Sequence, residues 1–200
     1  MGTGNLGKPA SRSTAKYEAD RSWNVFETPS ELSSLQELLD ASFEGMGKRM
    51  RVVHNPGGQL SARQLAGFRG VRLVAIANVN RKGEPRVSPR AAAFLHGKFF
   101  LAANRASVMV ERVLANPSVA ISYFENHFLL VGHGSSTLIL EGTEEFRKVS
   151  SEWKKAFNGG RDALKGTDVF VRIDATQLVA FAPRPGRYPG AWGRPPRGST

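Results

Sequence analysis

The residues best placed to do chemistry in this 200-residue chain are basic and sit beside a helix start. Asn104, Arg105, Ala106 and Ser107 immediately precede VMVERVLANP, where Val110, Val113 and Leu114 fall on one helical face and Pro117 ends the helix at Asn116. A helix N-terminus offers unpaired N–H groups and the positive end of the helix dipole. A neighbouring guanidinium adds a charge-assisted, bidentate contact, so the segment suits an anion such as a phosphate. Taken alone, Ser107 reads better as an ordinary N-cap serving its own helix. Arg112, inside that helix, and Arg90, upstream, add charge that could reach the same place.

Other chemistries are poorly served. The four histidines, His54, His96, His127 and His133, are scattered, and none has metal-ligand spacing to another histidine or a carboxylate. His133 alone lies on a run that could face a pocket, as an axial haem ligand or a general acid would have to. No Gly-x-Ser-x-Gly turn presents a serine nucleophile. The GHGSS stretch at 132–136 could cradle a phosphate, but a lone Gly-x-Gly is a weak signal and a strand bulge is the better explanation. The absence of cysteine excludes disulfides, thiolate metal sites and a cysteine nucleophile, and leaves a bound cofactor as the only route to redox work.

The elements that must carry these residues follow from periodicity. ELSSLQELLDASFEGMG, after Thr28, Pro29 and Ser30, has leucines at three- and four-residue spacing and predicts an amphipathic helix capped by Thr28 or Ser30 and stopped at Gly45 or Gly47. After an HNPGG turn at 54–58, Ser61 caps a second short helix, ARQLAGFRG. From Gly70 the period drops to two: VRLVAIANV, PRVSPRAAAFL and KFFLAA read as three strands joined by turns at 81–84 and 96–97. SVAISYF is a fourth strand, and HFLLVGHGSSTLILEGTEEF a long fifth with Gly132 and Gly134 as its bulge. A helix around SSEWKKAFNGG leads to a last strand, DVFVRIDATQLVAFA. Six strands with one short helix after the third predict a mainly β, α+β fold, a six-stranded antiparallel split barrel with flanking helices.

The order LVAIANVNRKGEPRVSPRAAAFLHGKFFLAANRASVMVERVLANPSVAISYF resembles the pyridoxamine 5'-phosphate oxidase-like, FMN-binding split β-barrel family. The resemblance rests on Ala75, Asn78, Gly83, Pro85, Val87, Ser88 and Pro89 in the first hairpin and on Asn104, Ser107, Leu114, Asn116 and Pro117 around the inserted helix. It covers roughly residues 60 to 145, extends weakly to 182, and takes EGTEEF as the end of the fifth strand. It implies a homodimer with a cofactor between two barrels: FMN first, a deazaflavin or haem as alternatives, or an empty barrel. The strand residues Arg86, Val87, Ser88, Pro89 and Arg90 would meet the ring and ribityl chain, and Asn104, Arg105 and Ser107 the phosphate. Where the family carries basic phosphate ligands, this chain has Val108 and Met109. Arg105, Arg112 and Arg90 are the candidates to compensate. The implied activity is a flavin-dependent oxidoreductase acting on an unidentified small organic substrate, with no protein acid or base assignable.

Charge sharpens the organisation. Lys plus Arg number 28 against 17 Asp plus Glu, a net charge of +11. PRPGRYPGAWGRPPRGST, from Pro183, contributes Arg184, Arg187, Arg194 and Arg197 with no acid, and the first 22 residues carry four basic side chains against two acidic ones. The chain divides into a segment predicted disordered at 1–28, a split-barrel domain at 29–182 and a flexible basic tail at 183–200. Arginines beside Tyr188 and Trp192 could stack on and neutralise a nucleic acid, but no folded nucleic-acid motif accompanies them, so a non-enzymatic binding role is the alternative reading. No apolar run approaches the ~20 residues a membrane helix needs. With no export signal in the sequence, the expected address is the cytoplasm.

Overall fold

Strict alternation builds the barrel wall. In β1 (Arg72–Val79) Val74, Ile76 and Asn78 turn inward and are buried, while the residues between them face out. The computed structural model describes residues 26–188 except 55, 69, 71, 126 and 158–163, so the expectations for 1–25 and 189–200 lie outside the described residues. β2 (Pro85–Leu95), β3 (Lys98–Ala103), β4 (Ser118–Glu125), β5 (Phe128–Leu140) and β6 (Val169–Phe181) complete a closed antiparallel barrel in the order β1-β2-β3-β6-β5-β4. β2 divides its pairing: Pro85 to Ala92 lie against β1, Ala92 to Leu95 against β3. Closure comes from a short β1–β4 seam, Ala75↔Ser122 to Ala77↔Ala120. This is the predicted six-stranded split barrel.

The turns obey their residues. His96 and Gly97 link β2 to β3 with φ of 54° and 71°, the left-handed pair a two-residue hairpin requires. β5 shifts register against β6 between His133 and Gly134, where a Cβ on Gly134 would lie 2.1 Å from the Asp174 carbonyl. The irregularity thus falls at Gly134 as expected, but the extra residue is Thr176 of β6, skipped between Gln177 and Ala175, and Gly132 pairs regularly with Leu178.

Helices close the ends and one flank. Thr28 and Glu31 form a reciprocal capping box for α1 (Pro29–Glu44), which ends at Gly45. Leu35 and Leu39 of α1 bury against the barrel, and the Ser42 hydroxyl accepts the Leu178 amide of β6 at 2.8 Å. A short helix that the leucine period does not announce, α2 (Lys48–Val53), follows at once. α3 (Ala62–Ala66) is capped by Ser61 with Gln64 and is shorter than its sequence signal. α4 (Val108–Ala115) is the helix inserted between β3 and β4. α5 (Glu144–Phe157) begins six residues ahead of the predicted SSEWKK start.

EGTEEF is therefore not strand. β5 stops at Leu140, Gly142 turns at φ 91°, and Thr143 accepts the Phe146 amide at 3.1 Å as a cap. Glu144 and Glu145 then occupy the helix's first turn, where the dipole favours acids.

The core has two parts. The barrel interior and α1 share one cluster that includes Ile76, Phe94, Phe99, Leu101, Ile121 and Leu178; Val149 and Trp153 of α5 pack outside the wall on Phe100, Ile139 and Phe170. His96 ties α1 to α5: its Nδ1 lies 3.2 Å from Glu31 Oε2 and its Nε2 3.0 Å from Glu152 Oε2. No described helix is long and apolar enough to cross a membrane.

Candidate functional site

The strand run predicted to meet a cofactor is divided between two faces by the pleat. Arg86, Ser88 and Arg90 pair with Asn78, Ile76 and Val74 and share their inward side; Val87 and Pro89 pair with Ala77 and Ala75 and point outward. Arg86 is already engaged, with Glu84 at 2.5 Å and the Pro85 carbonyl at 3.1 Å. Arg90 differs: its Nε is buried with no hydrogen-bond partner among the described residues, as is Nδ2 of Asn78, itself only 5% exposed. Unpartnered buried donors of this kind each carry a desolvation penalty of about 1–3 kcal/mol, so they mark the inner face near Arg90 as a place where an acceptor would be welcome.

The helix start is held by its own chain. Asn104 Oδ1 accepts the Ala106 amide at 2.9 Å, the Arg105 amide donates to Asp168 Oδ1 at 2.6 Å, and Ser107 Oγ accepts from Val110 at 3.4 Å. Ser107 thus performs the ordinary N-cap task. The Arg105 side chain extends into solvent. Position 108 is open, with Val108 57% exposed, whereas Met109 is core at 2%.

Arg112 finds partners that sequence reasoning missed. With Asn80, Arg81, Lys82, Val108 and Glu111 it lines a recess of about 290 Å³ between α4 and the β1–β2 turn. Arg81 is paired with Glu111 at 3.3 Å, while Lys82 and Arg112 have no carboxylate partner among the described residues. Residues 81–84 carry only a turn signature; barrel closure is what sets that turn against a helix inserted two strands later. Asn104, Arg105, Ser107 and the β2 residues do not line this recess, so the nine predicted residues do not form one cluster.

A second, larger recess of about 440 Å³ lies between α1–α2 and the outer face of β5–β6, with His54 and His133 among its lining residues. Among the described residues no three histidine, aspartate or glutamate side chains gather in a way that would hold a metal.

This geometry defines a split-barrel protein, and solved structures agree. The conserved hypothetical protein Rv2991 from Mycobacterium tuberculosis superposes with a TM-score of 0.54 at 17% identity, over 73% of this chain and 98% of that one. HutZ, the haem storage protein from Vibrio cholerae, gives 0.52 at 17% identity, over 62% and 97%. Pyridoxamine 5'-phosphate oxidase-like proteins are also matched, one from Listeria innocua at 17% identity and a TM-score of 0.45, over 58% and 94%. No protein-family model and no curated protein sequence matches the chain. The split-barrel fold expected from the first hairpin and α4 is thus the one that Rv2991 and HutZ share.

Proposed function

We propose that this chain is a flavin-dependent oxidoreductase of the cytoplasm that acts on a small organic molecule, as a homodimer with FMN held between its copies. The observation that carries the reading is the basic recess: Lys82 and Arg112, two cations without carboxylate partners among the described residues, beside the first turns of α4. A phosphate of charge near −2 suits two cations, and charge-assisted contacts are worth about 1.5–3 kcal/mol each. They offer from the turn and the helix body what Val108 and Met109 do not. Arg90 does not line this recess, and its Nε, unpartnered among the described residues, lies buried on the inward side of β2.

The second copy is suggested by the outer wall. Val87, Pro89 and Ala91 of β2, Leu73, Ala75 and Ala77 of β1, and Ala120, Ser122 and Phe124 of β4 form an uncharged surface by strand alternation. Leu73, Val87 and Phe124 are 71%, 71% and 69% exposed, and an exposed apolar patch of this kind marks an association surface. Bound FMN would supply hydride transfer; the chain's part is to hold its phosphate, fix its ring and keep water out.

Absorbance spectra of the purified protein with added FMN test this. Saturable yellow binding that weakens in the Lys82→Gln, Arg112→Gln double variant supports the reading, and a protein that takes up no flavin sinks it. Haem storage is the second reading, favoured by the fold shared with HutZ and by His133, whose imidazole is exposed on β5. A Soret band on adding haemin, in place of flavin uptake, would select it.

A further inference from the structure

We propose that the recess between α1–α2 and the outer face of β5–β6 is a separate binding site for a small amphipathic organic anion. Its volume, about 440 Å³, falls within the usual range of small-molecule sites, roughly 300–1,000 Å³. The floor is the outward face of the sheet, Leu129 and Val131 of β5 and Val179 of β6. The roof is a stripe at four-residue spacing, Met46, Met50 and His54, which runs through α2. Methionine adapts its shape to different apolar bodies, and Met50 is half-exposed.

Two further observations assign the charge. His54 Nδ1 is buried without a hydrogen-bond partner among the described residues, its ring held edge-on to Phe181 at 5.0 Å. A carboxylate or sulfonate oxygen would satisfy that nitrogen when it carries a proton. Among the described residues no carboxylate lines the recess, and Arg49 and Arg51, which neighbour Met50 on α2 without lining it, have no carboxylate partner. An apolar body with one anionic group therefore matches the floor and the roof, with the α2 cations adding positive field nearby. The assignment does not depend on flavin binding.

The test uses the full chain without added cofactor and two dyes of similar apolar body, anionic 1-anilinonaphthalene-8-sulfonate and neutral N-phenyl-1-naphthylamine. Both should bind saturably at one per chain, and decanoate should displace them. Val131→Trp, which fills the floor, should abolish both. Met50→Glu, at a half-exposed position, should weaken the anionic dye while leaving the thermal midpoint unchanged. The Arg49→Gln, Arg51→Gln pair should weaken the anionic dye about tenfold and the neutral one less than about twofold. Excess FMN should leave the dye signal in place. Absence of saturable binding, or binding that survives both Val131→Trp and Met50→Glu in folded protein, would overturn the proposal. So would displacement by FMN, which makes the recess the cofactor's own, or displacement by haemin with a His133-dependent Soret band.

Discussion

Neighbouring side chains can have opposite fates, and positions 108 and 109 are the case in point. Both stand where the resembling family is basic, yet only Val108 opens onto the recess of Lys82 and Arg112, while Met109 is core. Val108→Lys should therefore raise FMN affinity by about tenfold, the scale of one charge-assisted hydrogen bond, in a fluorescence titration. Met109→Lys should instead lower the unfolding midpoint, because it buries an unpaired ammonium. The acids around His96 diverge in the same way. Burial pushes the Glu27 carboxyl up, more than its own and the Gly97 amides and His96 pull it down. Its folded form thus favours the proton: the stability this contributes is fully present below the ordinary glutamate range and is lost as pH rises through the raised value. Glu27→Gln should raise the melting temperature at pH 8 and lose that advantage near pH 4. Burial also acts upward on Glu31, but the Thr28 amide and His96 outweigh it and hold the carboxyl down. That stability is present above the ordinary glutamate range and lost as pH falls through the lowered value, so Glu31→Gln should be damaging at pH 7 and nearly neutral in acid.

Among the elements, the most demanding is the register shift between β5 and β6, where Thr176 of β6 is the extra residue. The shift lies between His133 and Gly134, and the Asp174 carbonyl approaches Gly134 so closely that a Cβ there would have no space. Gly134→Ala should cost roughly 3 kcal/mol or more in denaturant unfolding, since backbone rather than a pliable side chain stands in the way. Ser107→Ala should cost only about 1 kcal/mol, the usual worth of an N-cap, and should leave FMN affinity unchanged if Ser107 serves its helix alone; a parallel loss of affinity would give the hydroxyl a second task. Most elements are legible because their signals are local. Thr28 with Glu31, Ser61 with Gln64 and the His96-Gly97 pair specify caps and turns within four residues. EGTEEF misleads for the same reason: six residues can continue a strand or start a helix, and Val149 and Trp153, whose burial on Phe170 decides the matter, lie further on.

At the scale of the whole molecule, the outer wall formed by Leu73, Val87 and Phe124 makes association the expected state. A Leu73→Glu, Phe124→Lys variant should sediment as a monomer with an unchanged circular dichroism spectrum, and, if the cofactor is shared between copies, should lose flavin uptake with the dimer. The barrel itself was determined by sequence: alternation sets which face of each strand is buried, and hairpin turns too short for any other connection make the first three strands an antiparallel meander. The same alternation, applied to RVSPR, already places Val87 and Pro89 opposite Arg86, Ser88 and Arg90. Only the tertiary structure decided where the charges meet. Lys82 and Arg112 are thirty residues apart, and the stripe of Met46, Met50 and His54 lies far in sequence from Val131 and Val179. Such meetings depend on closure of β1 on β4 and on how α2 and α4 lie against the wall, and these are outcomes of long-range packing for which no local residue pattern codes.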